Sequence, residues 1–158
     1  MYKNQSIPCM VLAAGRGERM RPLTDHTPKP LLKVKGKALI DWHIDGLTAN
    51  HLTDIVVNHA WLGEQITEHF NQDKFKDINV QLSAEHEALE TAGGLRQAMP
   101  LMKIDDYFFA INGDVFCPQF PFERILDITN QLRKNERPPM AYLFLTQNPS
   151  HQIGRAHV

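Results

Sequence analysis

An α/β fold with a mostly parallel central sheet covered on both faces is predicted by three observations. Short apolar runs alternate with segments of helix length, several of those runs are continuously apolar as in a sheet buried on both sides, and the intervening segments are long enough for crossovers. The 158 residues amount to one ordinary domain, a size that hides roughly 68 to 70% of the unfolded surface. A composition of 42% apolar and 22% charged residues excludes collagenous, coiled-coil and generally disordered classes.

Residues 8–14 (PCMVLAA) read as the first buried strand, closed by Gly15. Leu39, Ile40, Ile44 and Leu47 recur at helical spacing, so a helix is expected over 36–50, after a connection of more than 20 residues. Loops that long inside compact domains are usually functional. Strands follow over 54–59, 78–83, 107–111 and 140–146, and helices over 62–71, 91–101 and 121–134. In such sheets ligands bind outside the carboxyl ends of the strands, where strand order reverses. The loops after strands are therefore where chemistry is expected. Beyond the last strand come QNPSHQ and IGRAHV, with nothing to cover the sheet edge. Residues 153–158 read like translated sequencing-adapter DNA. The expected organisation is one domain over 1–152, incomplete at its C-terminus, with 153–158 as a non-native tail.

No apolar run approaches the ~18 residues that cross a bilayer, and the first ten residues lack an h-region and cleavage site, so a cytoplasmic protein without a membrane partner is expected. Cys9 and Cys117 cannot form a disulfide framework, and neither has zinc spacing to a histidine. A net charge of −1 argues against a nucleic-acid partner. The distribution says more. Arg16, Arg19, Arg21, Lys29, Lys33, Lys35 and Lys37 face only Glu18 and Asp25 within their segment, a local +5 that leaves −6 elsewhere. Either this is a solvated basic loop or something anionic docks there.

The first strand runs into Leu12, Ala13, Ala14, Gly15, Arg16 and Gly17. Small residues and glycines let backbone approach a ligand and aim successive N–H groups at phosphate oxygens. The dinucleotide fingerprint fails at Met20, and no GK[ST] follows, which disfavours NAD-dependent and P-loop readings. Arg16 and Arg19 offer fork-shaped donors to a triphosphate. Lys29 stands between Pro28 and Pro30, whose rings restrict the backbone. Alone, that turn is equally an exposed loop; after the glycine turn it reads as a held cation. Asp114 follows an apolar strand through Asn112-Gly113, and a carboxylate at such a strand end can hold Mg²⁺.

Together, LAAGRGERMRPLT and TPKPLLKVKGKALI resemble the signature of the sugar-1-phosphate nucleotidyltransferases, or NDP-sugar pyrophosphorylases. Within that family VNHAWLGEQI, ALETAGGL and INGDVF are similar to the branch that joins UTP to N-acetylmuramate α-1-phosphate in cell-wall recycling, and mannose-1-phosphate guanylyltransferases share much of the pattern. The resemblance implies a Rossmann-like, GT-A-like three-layer sandwich that binds UTP, a sugar 1-phosphate and Mg²⁺. It implies nucleotide contacts from residues 12–17, catalytic roles for Arg19 and Lys29, and Asp114 as metal ligand. Glu85 and the Glu90-Thr91 backbone would read the uracil edge, although Glu85 reads equally as a solvated acid. Gly93 and Gly94 would leave room for the ribose or sugar, and His59, Trp61 and Asn112 would face the acetylated sugar, although a tryptophan more often fills a core or edge gap. The family's second metal aspartate and its sugar-phosphate lysine have no match in this chain. A non-catalytic nucleotide-sugar sensor is the reading from another class.

Overall fold

The computed structural model describes residues 7–145. In chain order the elements are β1 (Cys9–Leu12), β2 (Lys33–Val34), β3 (Lys37–Ala38), α1 (Leu39–Ala49), β4 (Asp54–His59), α2 (Gly63–Phe70), β5 (Asn79–Ala84), α3 (Glu90–Ala98), β6 (Phe109–Asn112) and α4 (Arg124–Arg133). Four strands form one sheet in the order β5-β4-β1-β6. Every pairing in it is parallel, with Leu12 level with Asn58 on one side and Asn112 on the other.

Successive side chains of a strand point to opposite faces, so a central strand covered on both sides must be apolar throughout. In β1, Cys9 and Val11 join the core that α1, α2 and α4 supply through Ile44, Ile66 and Ile125. Met10 packs on the other face with Val56, Ala98 and Met102. Helices thus cover both faces, which is the expected three-layer α/β sandwich. Burial pushes the Cys9 thiol up to about 12, leaving it a neutral core group.

The long connection after β1 is built of single 3-10 turns at Glu18–Met20, Leu23–Asp25 and Lys29–Leu31, then the β2–β3 hairpin. Pro22, Pro28 and Pro30 lack the N–H that would extend any turn into a helix. The hairpin also shortens the helix expected over 36–50, which begins only at Leu39.

One expected strand is corrected. Residues 140–145 make no ladder with β6, and Thr146 and residues 153–158 lie outside the described residues. A strand needs paired backbone, whereas this stretch is tied by side chains. Tyr107 donates its hydroxyl to the Pro139 carbonyl at 3.0 Å, and the Phe144 ring packs 4.9 Å from that of Phe120. Met140, 99% exposed, and Leu145, 88% exposed, gain no burial that would fix a register. Among the described residues no helix is long and apolar enough to cross a membrane.

Two packing details matter for stability. Asp41 of α1 is buried, accepting hydrogen bonds from His69 Nε2 at 2.6 Å and Lys74 Nζ at 2.7 Å, which ties α1 to α2 and to the following turn Asp73–Phe75. Gly46 lies under Phe122, where a Cβ would stand 2.3 Å from the ring. Gly46→Ala should therefore destabilise by about 1 to 3 kcal/mol, overpacking outweighing the helix-propensity gain of about 1 kcal/mol. Urea denaturation checks this, and an unchanged midpoint would mean that the ring moves freely.

Candidate active site

Successive connections carry the chain from β1 outward to β4 and β5, then back across to β6. Strand order thus reverses between β1 and β6, and a crevice opens at their carboxyl ends. It is a cleft of about 360 Å³. One wall is the backbone from Leu12 to Arg16; the second is Ala88, Glu90 and Thr91; the third is Asn112 and Asp114, with Asn58 and Pro30 completing the lining.

The glycine loop is shaped from within. Gly17 adopts φ 68°, the left-handed region that glycine enters without penalty. A Cβ there would stand 3.0 Å from that of Lys29. Thr24 donates its hydroxyl to the Gly17 carbonyl at 2.9 Å. This close approach brings the stem of Lys29 beside the loop. Its ammonium then reaches across to Asp114, with Nζ and Oδ2 2.6 Å apart. A Cβ at Gly15 would meet nothing within 4 Å, so the loop is open there.

Asp114 is placed by its neighbours. Gly113 donates its N–H to the Leu12 carbonyl at 2.8 Å, and a Cβ there would press on Val11 at 3.0 Å. His43 of α1 binds the Val115 carbonyl through Nε2 at 2.7 Å. Burial lowers the pKa of His43, outweighing the Val115 hydrogen bond and the Asp114 charge, which act the other way. As a neutral ring its Nε2–H donates to that carbonyl, and Nδ1 is buried without a partner among the described residues. Arg16 is stacked 4.0 Å over the Trp61 ring, and the indole N–H donates to the Thr24 carbonyl at 3.0 Å. Gln65 does the same for the His26 carbonyl at 2.9 Å, so α2 and the turn before it brace the basic connection.

Of the residues singled out from sequence, Leu12, Ala13, Ala14, Gly15, Arg16, Glu90, Thr91, Asn112 and Asp114 come together around the cleft. Lys29 joins them through Asp114, and Gly17 turns the loop. Arg19 does not line the cleft; it stands exposed on the turn Glu18–Met20. Glu85 and Gly94 are buried behind the lining, and His59 is buried with its pKa lowered by desolvation against the Glu85 charge. Gly93 packs against Leu89. Asn58 and His43 were not singled out. The signal for Asn58 was present: a polar residue near the carboxyl end of the buried run DIVVNH.

A larger cavity of about 550 Å³ lies between β6, α4 and residues 140–144, and it is lined mainly by apolar groups such as Phe108, Phe120 and Tyr142. The carboxylate at its edge, Asp106, is engaged by Arg133 at 2.6 and 2.8 Å. The smaller cleft, by contrast, is lined by Arg16 and by Asp114, which holds the Lys29 ammonium.

Comparison with known proteins shows the family. The profile of the nucleotidyl transferase family matches residues 9–152. The chain belongs to the nucleotidyl transferase family. The chain is 46% identical over 146 residues to an N-acetylmuramate alpha-1-phosphate uridylyltransferase from Neisseria meningitidis, covering 90% of this chain and 60% of the relative. It is 41% identical over 121 residues to a mannose-1-phosphate guanyltransferase from Gibberella zeae, covering 74% of this chain and 32% of that one. Among solved structures, HddC from Yersinia pseudotuberculosis complexed with GMP-PN superposes with a TM-score of 0.67 at 23% identity, over 80% of this chain and 54% of that chain. This last likeness supports the nucleotidyl transferase fold. The chain spans 60% or less of the length of each of these relatives.

Proposed function

We propose that this chain is the nucleotide-handling part of a cytoplasmic uridylyltransferase that transfers UMP from UTP to a sugar 1-phosphate, N-acetylmuramate α-1-phosphate, in peptidoglycan recycling. The observation that carries this reading is the Lys29–Asp114 pair at the cleft, opposite an open glycine loop. The names of the relatives supply the choice of nucleotide and sugar.

In the proposed reaction an oxygen of the sugar 1-phosphate attacks the α-phosphorus of UTP. A new P–O bond forms, the bond to the β-phosphate breaks, and pyrophosphate leaves. A phosphate monoester with a second pKa near ~6 is largely ionised at neutral pH, so no general base is needed. The protein's part is positioning and charge stabilisation. The 12–16 backbone cradles phosphate oxygens, Arg16 and Lys29 offset their charge, and Arg19, exposed beside the loop, meets the leaving pyrophosphate. The Glu90-Thr91 backbone lies at the base and Asn112 at the sugar.

Asp114 fits a divalent cation. Its carboxylate borders the cleft, is 33% exposed and already balances one positive charge. Mg²⁺ commonly takes one or two carboxylates, several waters and substrate phosphates, which matches this donor set. Bound there, Mg²⁺ would neutralise charge on the phosphates.

Calorimetry of this chain with UTP should give Mg²⁺-dependent binding, and pyrophosphate release by the intact gene product should require N-acetylmuramate α-1-phosphate. Tighter binding of GTP, with release on mannose 1-phosphate, would favour guanylyl transfer. Binding without release would favour a sensor. Folded protein that binds no nucleoside triphosphate would overturn the proposal.

A further inference from the structure

Glu85 extends the β4–β5 pairing by one residue, donating its N–H to the His59 carbonyl at 2.8 Å. Its side chain turns inward and the residue is 6% exposed. Both carboxylate oxygens are engaged: Oε1 accepts from Asn58 Nδ2 at 2.7 Å and Oε2 from the Leu89 N–H at 2.9 Å. Asn58 in turn accepts the Ala13 N–H on Oδ1 at 2.8 Å. The relay therefore runs from the turn before α3, through the ends of β5 and β4, into the glycine loop after β1.

Its polarity is fixed at both ends. The Ala13 N–H can only donate, so the amide oxygen of Asn58 must face it and the NH₂ must face Glu85. The group at 85 then has to accept from Asn58 and from the Leu89 N–H at once. A carboxylate does so with its two oxygens; a glutamine amide would set a donor against one of them. Gly94 of α3 leaves the required room, since a Cβ there would stand 2.6 Å from Glu85 Oε1 and 2.7 Å from Asn58 Nδ2.

We propose that Glu85 and Asn58 are positioning residues that hold the glycine-loop wall and the 88–91 wall of the cleft at a fixed separation, with Glu85 spent on this task instead of on the base. The proposal rests on the cleft being the nucleotide site. Its physical signature differs from base recognition. Loosening the walls weakens every nucleotide alike, whereas losing a base contact changes which nucleotide is preferred.

The test uses the 158-residue chain with Glu85→Gln, Asn58→Ala and Gly94→Ala, the last removing neither polar side chain but adding a methyl that presses on both. Amide exchange followed by NMR without nucleotide is expected to speed up about tenfold or more at Ala13 in Asn58→Ala and Gly94→Ala. In Glu85→Gln the same acceleration is expected at Leu89 or Ala13. With Mg²⁺ present, UTP and CTP affinities should fall together, by about tenfold, in all three. Unchanged exchange at Ala13 in folded Asn58→Ala would overturn the relay. So would an altered UTP-to-CTP preference in Glu85→Gln with both amides still protected, because Glu85 would then be reading the base. Should Glu85→Gln fail to fold, the other two variants carry the comparison. If the wild-type chain binds no nucleotide, the proposed function fails while the exchange data still decide the relay.

Discussion

Lys29→Met is expected to weaken Mg²⁺–UTP binding by roughly ten- to a hundredfold and, where transfer is measured, to slow it by roughly 10² to 10³. The effect is large because Lys29 is not a floating surface cation. Its backbone lies in a turn bracketed by two buried prolines, its stem passes close to Gly17, and its ammonium is held 2.6 Å from Asp114. Little entropy remains to be lost when it meets a phosphate. Methionine keeps the stem and removes only the charge, so the fold should survive. The same variant should bind Mn²⁺ more tightly than the wild type in the absence of nucleotide, because no ammonium then competes for the Asp114 carboxylate. Calorimetry gives the first quantity and electron paramagnetic resonance of free Mn²⁺ the second. Wild-type UTP affinity in the folded variant would remove Lys29 from the site.

Asp41→Asn should lower stability by about 2 to 4 kcal/mol. The wild-type carboxylate is buried and accepts from both His69 and Lys74. Burial alone would raise its pKa, but the two hydrogen bonds and the two positive partners win, and the net shift is downward. A carboxyl whose folded pKa lies below its unfolded value contributes stability that is complete above the unfolded pKa. That contribution is lost as pH falls through the folded one. The stability gap between wild type and Asp41→Asn should therefore be full above about pH 5 and shrink below about pH 4. Urea titrations across that range decide it, and a gap that stays constant into acid would show that the charge is not what holds α1 to α2.

What could be read from sequence follows from how local each signal is. β4 was legible to the residue because its run is apolar on both faces, and α1 because Leu39, Ile40, Ile44 and Leu47 mark one stripe. That the glycine loop and Asp114 meet at one cleft was legible because both follow apolar runs read as parallel strands. Residues 140–145 carry the apolar content of a strand, but a strand is a property of a pair, and no neighbour among the described residues supplies the ladder. Glu90 adopts φ 57°, a left-handed conformation that nothing about a glutamate announces. The link between Ala13, Asn58 and Glu85 spans 45 and 27 residues, and only the sheet register brings them level. Arg19 and Arg16 look equivalent as letters, yet only Arg16 has a tryptophan to lie on.

The position of β6 has an evolutionary consequence. The strands that carry the 12–17 loop and the 88–91 wall come from one unbroken stretch of chain, and they lie to one side of the point where the winding reverses. Insertions or exchanges beyond β6 would therefore leave those two walls in place, so that, under the proposed function, the sugar side of the cleft could change while the nucleotide side stays.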